Sequence, residues 1–282
     1  MIYLFMRQDI SPIITNPEFK NICQTCGTRF AEETPSTCAI CSDERQYVPA
    51  TGQKWTSYNE LSQTRTMRFG NPLADVYNLR ISPTFGIAQR AHLIISPGGN
   101  ILWDCLPFLD ETTVAFIRAK GGLKGIAISH PHYYSLMAVW AETFDCPIYL
   151  HKADSEWVLD KTNRIQFSDG GKHVLWDGME IVHTGGHFAG SAILHAPEIG
   201  VKGSVFVGDT LQVALSRQFI SIMYSYPNMI PLPLKEIERI SDIVMHLNFD
   251  SMYGAFEWQD IHAGAKKIFE HSVNRYRKVF AD

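Results

Sequence analysis

The sequence has no excess of either charge, no long apolar run and no dense cysteine framework, and each absence removes a class of protein. Its 282 residues carry 25 Lys and Arg against 29 Asp and Glu, a net charge of -4. Nothing electrostatic therefore calls for nucleic acid or an anionic membrane as partner. The opening apolar stretch, Met1 to Met6, is ended by Arg7, Gln8 and Asp9. That is too early for a signal peptide or a membrane span, and a soluble, cytoplasmic protein is the expectation. Six cysteines in a chain this long do not make a disulfide scaffold. With 45% hydrophobic and 19% charged residues, the chain can bury one large core and carry a small second domain.

What is present is grouped. Cys23-Gln-Thr-Cys26-Gly27 and Cys38-Ala-Ile-Cys41 form two Cys-x-x-Cys knuckles at close spacing. Four thiolates so placed can surround one ion tetrahedrally, and Gly27 lets the backbone turn toward the sulfurs. Redox dithiols usually come as a single Cys-x-x-Cys, and an oxidising compartment has no support here. Cys105 and Cys146 lie in apolar surroundings and read as inert buried thiols. The stretch Cys26 to Cys38 resembles zinc-ribbon and rubredoxin-like modules. That resemblance implies a metal whose binding supplies the folding energy of residues 1–50. Zinc, which needs no electron partner, is the expected ion; iron, which would make the module an electron carrier, accepts the same ligands.

Residues 51–282 read as the second unit, beginning with a linker over 51–75. Val76 to Ile81 and His92 to Ser96 alternate like strands, and Asn100 to Cys105 completes an antiparallel pair after Pro97-Gly98-Gly99. Asp110 is placed to cap a helix that Gly121-Gly122 stops. An apolar strand, Gly125 to Ser129, then delivers His130-Pro-His132 to its end, followed by a helical pattern from Ser135 to Phe144 and a strand at Pro147 to His151. After a helix-like Lys152 to Leu159, two strands flank the turn Asp177-Gly178 and lead into His183-Thr-Gly-Gly-His187-Phe-Ala-Gly190-Ser191. Ser204 to Val207 is a strand that ends in Gly208-Asp209. Two late helices, about 233–247 and 260–280, close the chain. Alternation of strands and helices implies a sheet covered by helices. Strand-end histidines one residue apart point into one cleft, and neutral imidazole is a ligand for zinc, iron and copper.

His130-x-His132, the Gly186-His187 loop and Gly208-Asp209 occur in the order and approximate spacing of the metallo-β-lactamase fold hydrolases, and the chain resembles that family from about Val76 onward, Asp104 included. The resemblance implies an α/β fold of two sheets sandwiched between helices, with a metal site at one edge. Carried over by position, His130, His132 and His187 match the first site's histidines, and Asp209 matches the carboxylate that reaches the second. The chain also departs from the pattern. Tyr133, Tyr134 and Ser135 stand where the family continues with a variable residue, Asp and His, and Tyr253-Gly254-Ala255-Phe256 stands at its last histidine. One carboxylate alone does not supply the ligands of a second ion.

The implied function is a hydrolase with one Zn, Fe or Mn on His130, His132 and His187, and with Asp209 orienting or deprotonating water. The substrate is a small-molecule ester, thioester, amide or phosphoester. Tyr133 or Tyr134 either donates to a developing oxyanion or packs over the site. The alternative is a catalytically degenerate domain that binds a ligand or partner, with the cysteine module purely structural. Gln212 to Asn228, with Arg217, is the expected substrate-facing wall. His183 is the expected support for His187, whereas His92, His151, His173, His195, His246, His262 and His271 read as non-ligands.

Overall fold

The computed structural model describes residues 20–31 and 34–280. The apolar run Met1 to Met6, and with it the signal-peptide reading, lies outside them. Two sheets form the centre of the molecule. A seven-stranded sheet runs Thr66–Leu73, Val76–Ser82, Ala91–Ile94, Ile101–Trp103, Gly125–Ala127, Ile148–His151 and Ile165–Ser168. Its first four strands pair antiparallel and its last three join in parallel. A six-stranded sheet runs Lys172–Val174, Glu180–His183, Ala192–Ala196, Ser204–Phe206, Ser251–Tyr253 and Asp260–Ile261.

Side chains that alternate along each strand build the layers. Ile101 and Trp103 face between the sheets, where they join Leu194, Phe206 and Tyr253. Leu102, between them in sequence, points the other way into a core with Val114, Ile117 and Trp140. Those residues come from the helices Glu111–Ala119 and Met137–Phe144. Across the molecule Val205 and Met252 pack on Ile237, Ile240 and Phe269, from the helices Leu234–Met245 and Ala265–Val279. The order is helix, sheet, sheet, helix, as the resemblance implied. Among the described residues no helix is long and apolar enough to cross a membrane.

Several local expectations change. The linker read over 51–75 is folded: it holds the strand Trp55–Thr56, the helix Tyr58–Thr64 and the whole edge strand Thr66–Leu73. The overlooked signal is Ser57-x-x-Glu60, a capping box in which the Glu60 backbone N–H donates to Ser57 Oγ and Glu60 Oε2 accepts from Ser57 N. The helix after the histidines starts at Met137 rather than Ser135, because the 3₁₀ turn Pro131–Tyr133 and a left-handed Ser135 (φ 44°) intervene. Lys152–Trp157 is 3₁₀ rather than α. The last helix starts at Ala265, since Asp260–Ile261 is taken as an edge strand.

Candidate metal centres

In the N-terminal part, Ile22–Cys23 pairs with Trp55–Thr56, and Cys38 and Cys41 bracket the start of the short helix Ala39–Ser42. Cys23, Cys26, Cys38 and Cys41 are all buried, free of disulfides, and converge into one group. Sγ of Cys23 and Cys41 lie 3.6 Å apart, as do those of Cys26 and Cys38. A tetrahedral ion with bonds of about 2.3 Å to sulfur sets its ligands about 3.8 Å apart, so the group fits one ion. Hydrogen bonds from the other thiols hold Cys23 far below the ordinary thiol range, while burial holds Cys26 above it. Gln53 lies beside this set: its Nε2 donates to Cys23 Sγ at 3.2 Å, and its Oε1 accepts from Cys38 N at 3.1 Å. Gly27 is needed twice. It turns with φ 82°, and a Cβ there would meet Pro107 at 2.6 Å.

The second group draws on both sheets. Gly125–Ala127 carries His130 and His132 beyond its end, Glu180–His183 feeds the loop of His187, and Ser204–Phe206 feeds Asp209. The ligand atoms of these four buried residues all lie within 4.8 Å of one another. His187 Nε2 is 3.3 Å from His132 Nδ1. Asp209 Oδ2 is 3.4 Å from His130 Nε2 and 3.9 Å from His187 Nε2. Nitrogen ligands about 2.0–2.1 Å from a tetrahedral ion stand about 3.3 Å apart, so these separations suit one ion as well.

The surroundings hold each side chain in the form a metal requires. His187 Nδ1 donates to the Tyr224 carbonyl at 2.8 Å, which leaves Nε2 as a lone pair. Ser129 Oγ lies 2.8 Å from His130 Nδ1, and Asp104 Oδ1 accepts Ser129 N at 2.8 Å. Burial, then the neighbouring imidazoles, hold His132 well below the ordinary histidine range; burial and His130 bring His187 down to about 3. Both are therefore neutral at neutral pH, the state that binds cations. Burial opposes ionisation of Asp209, but His130, His187 and Tyr133 outweigh it and hold the carboxyl below its usual value.

Tyr133 Oη donates to Asp209 Oδ1 at 2.7 Å, so of the two carboxylate oxygens Oδ2 is the one turned to the histidines. Tyr134 is buried in the core beneath the helix Met137–Phe144. Ser135 Oγ accepts from Gln89 Nε2 at 3.2 Å. The Gly254 carbonyl accepts from Arg90 Nε at 3.1 Å and from Nη2 at 3.0 Å, and Arg90 pairs with Asp260. At the places where the resemblance implies a second ion's ligands, Ser135 and the Gly254 carbonyl are engaged in internal hydrogen bonds. His183 Nε2 donates to the Ala189 carbonyl at 2.8 Å and stacks on His151, 3.7 Å between ring centroids. Arg217 is exposed at a hairpin tip, where its Nε donates to the Trp258 carbonyl at 3.2 Å.

Other contacts left no mark in the sequence. Asp154, 1% exposed, accepts Gly190 N through Oδ1 at 2.6 Å and pins the far side of the His187 loop. Arg45, just past the second knuckle, stacks on Phe188 with Cζ 4.3 Å from the ring centre and on Tyr224 at 4.7 Å. Gly208 does carry a sequence signal. Its φ is 51°, and a Cβ would meet Ser129 Oγ at 2.3 Å and Ser129 Cβ at 2.5 Å. Gly208→Ala is expected to destabilise the fold by about 1–3 kcal/mol and to weaken metal binding, because Ser129 must move and it holds His130. Thermal unfolding and metal titration check this, and an unchanged affinity would show that Ser129 does not position His130.

Fold and site together define the class: the chain has the metallo-β-lactamase fold, with an N-terminal four-cysteine group added. It is similar to the DIM-1 metallo-beta-lactamase at 16% identity, over 76% of this chain and 98% of that one, with a TM-score of 0.55. It is also similar to a motif mutant of a metallo-beta-lactamase from Cronobacter sakazakii at 15% identity, over 77% and 98%, with a TM-score of 0.50. No protein-family model matches the chain. A full-length relative, "Uncharacterized protein YmaE" of Bacillus subtilis (strain 168), is 40% identical over 263 residues, 92% of this chain and 96% of that protein, and the chain belongs to its family.

Proposed function

We propose that the protein is a hydrolase dependent on a single ion held by His130, His132 and His187, with Asp209 as the proton acceptor. Its substrates are small-molecule esters, thioesters, amides or phosphoesters. The observation that carries this is the convergence of four buried ligand atoms within 4.8 Å of one another. The hydrogen-bonded replacements at the second site, Ser135 with Gln89 and Gly254 with Arg90, support one ion rather than two. An ion in this group supplies a Lewis acid that polarises a substrate oxygen and acidifies water.

The chain's own residues do the rest. Tyr133 keeps its proton, since burial and then Asp209 hold its pKa well above the usual phenol value. Bound to Oδ1, it orients Asp209 so that Oδ2 receives a proton. The Tyr224 carbonyl and the His183 brace keep His187 turned inward. Zinc is the proposed ion of the four-cysteine module, with a purely structural role, and Zn, Fe or Mn that of the histidine group. The net charge of -4 is consistent with a cytoplasmic enzyme that meets neither nucleic acid nor a membrane.

Elemental analysis of the purified chain tests the reading. Two equivalents of metal per chain are expected, together with turnover of at least one of the four bond classes. One equivalent in total, with no activity after supplementation by Zn, Fe or Mn, would favour the catalytically degenerate ligand-binding domain instead.

A further inference from the structure

We infer that Arg45, delivered by the cysteine module, is a substrate-binding residue that selects substrates carrying an oxyanion, a carboxylate or a phosphate, next to the bond that is cut. This rests on the single-metal hydrolase reading. Arg45 lies four residues after Cys41, and its segment is bound to the wall of the metal site rather than to the module alone. Ser225 Oγ donates to the Arg45 carbonyl at 3.0 Å. Asn228 Nδ2 donates to the carbonyls on either side, Glu44 at 2.9 Å and Gln46 at 3.0 Å. The Tyr224 hydroxyl donates to the Glu44 carboxylate. The strand Met223–Ser225, which carries Tyr224 and Ser225, also turns the Tyr224 carbonyl to His187 Nδ1 at 2.8 Å. One short segment therefore sets both the imidazole and the guanidinium.

The guanidinium is ion-paired but not fully hydrogen-bonded. Nη1 bonds Asp43 Oδ1 at 2.8 Å, but Nε is buried and has no acceptor among the described residues. A buried donor without an acceptor is unfavourable, and a ligand oxygen would satisfy it. Its Cζ lies 4.3 Å from the Phe188 ring centre, which is 4.8 Å from that of His132 and 5.2 Å from that of His187. Packing against Phe188 and Tyr224 restrains the guanidinium beside the histidine group, and arginine's planar fork suits a carboxylate or phosphate. Arg217, the arginine of the substrate-facing wall expected from the sequence, is occupied at a surface hairpin.

Binding of small thiols to the metal-loaded chain tests this without depending on turnover. 3-Mercaptopropionate and 2-mercaptoethanol both offer sulfur to the histidine-held ion, but only the former adds a carboxylate. By calorimetry, the acid is expected to bind at least about tenfold more tightly than the alcohol. Arg45→Gln removes that advantage, Arg45→Lys restores part of it, and neither changes the affinity for 2-mercaptoethanol. Inorganic phosphate, titrated in parallel, separates the two oxyanions: competition with the acid that is lost in Arg45→Gln extends the site to phosphate, and no competition restricts it to carboxylates. Equal affinity for the two thiols, or an advantage that survives in Arg45→Gln, overturns the assignment and leaves the metal reading standing. If neither thiol binds the loaded wild-type chain, the hydrolase reading falls and the inference falls with it.

Discussion

His187→Ala is expected to remove one equivalent of metal per chain and to lower turnover by more than about 100-fold, since even residues that only orient metal ligands are worth 10–100-fold. The metal on the cysteine module should remain, so the loss is read as a change from two equivalents to one. The substitution suits the purpose because His187 closes the group from the six-stranded sheet, 3.3 Å from His132 and 3.9 Å from Asp209. Its effect on the fold should be small. The Gly185 and Gly186 turn is held independently by Thr184 N and Gly185 N, each donating to the Ser191 carbonyl at 2.8 Å. Two equivalents in the purified variant would remove His187 from the ligand set.

Cys38→Ser is expected to act in the opposite order, on folding first and on the histidine group second. The module's buried cluster is little more than the four cysteines and Ile40, so the ion supplies most of its stability. Structural zinc sites contribute about 10–16 kcal/mol of apparent binding energy, and losing one thiolate forfeits much of that. Limited proteolysis should then cut between Cys23 and Trp55 while the sandwich stays resistant. Turnover should also fall although every histidine is intact, because the unfolded module no longer holds residues 43–46 against Tyr224 and Asn228. Full activity in a variant proven to have lost this metal would show that the module and the site are independent.

Both groups of candidate ligands that the structure brings together were legible in the sequence because each is local in its pattern: two knuckles, one His-x-His, one glycine-flanked histidine and one Gly-Asp. A helix-covered sheet was legible in the alternation of strands and helices, whereas the second sheet came only with the family resemblance; Ile101-Leu102-Trp103, all apolar, carries no sign of which face each side chain takes. What escaped depends on contacts between distant residues. Gln53 reaches back 30 residues to Cys23, and Asp154 reaches forward 36 to Gly190. Arg45 meets Phe188 and Tyr224 only in the folded chain, across more than 140 residues of sequence. No periodicity encodes such a meeting. The misread linker is different: its Ser57-x-x-Glu60 signal was present, but the polar and aromatic composition around it hid a helix of only seven residues.

Two ligands of the histidine group come from the end of the seven-stranded sheet and two from the six-stranded sheet. An ion there would thus be a clasp between the two halves of the sandwich, in addition to the chemical role proposed for it. Any sliding of one sheet against the other would open the coordination polyhedron before it disturbed either sheet's own ladder. Occupancy of the group is, in that sense, a gauge of how well the halves are aligned.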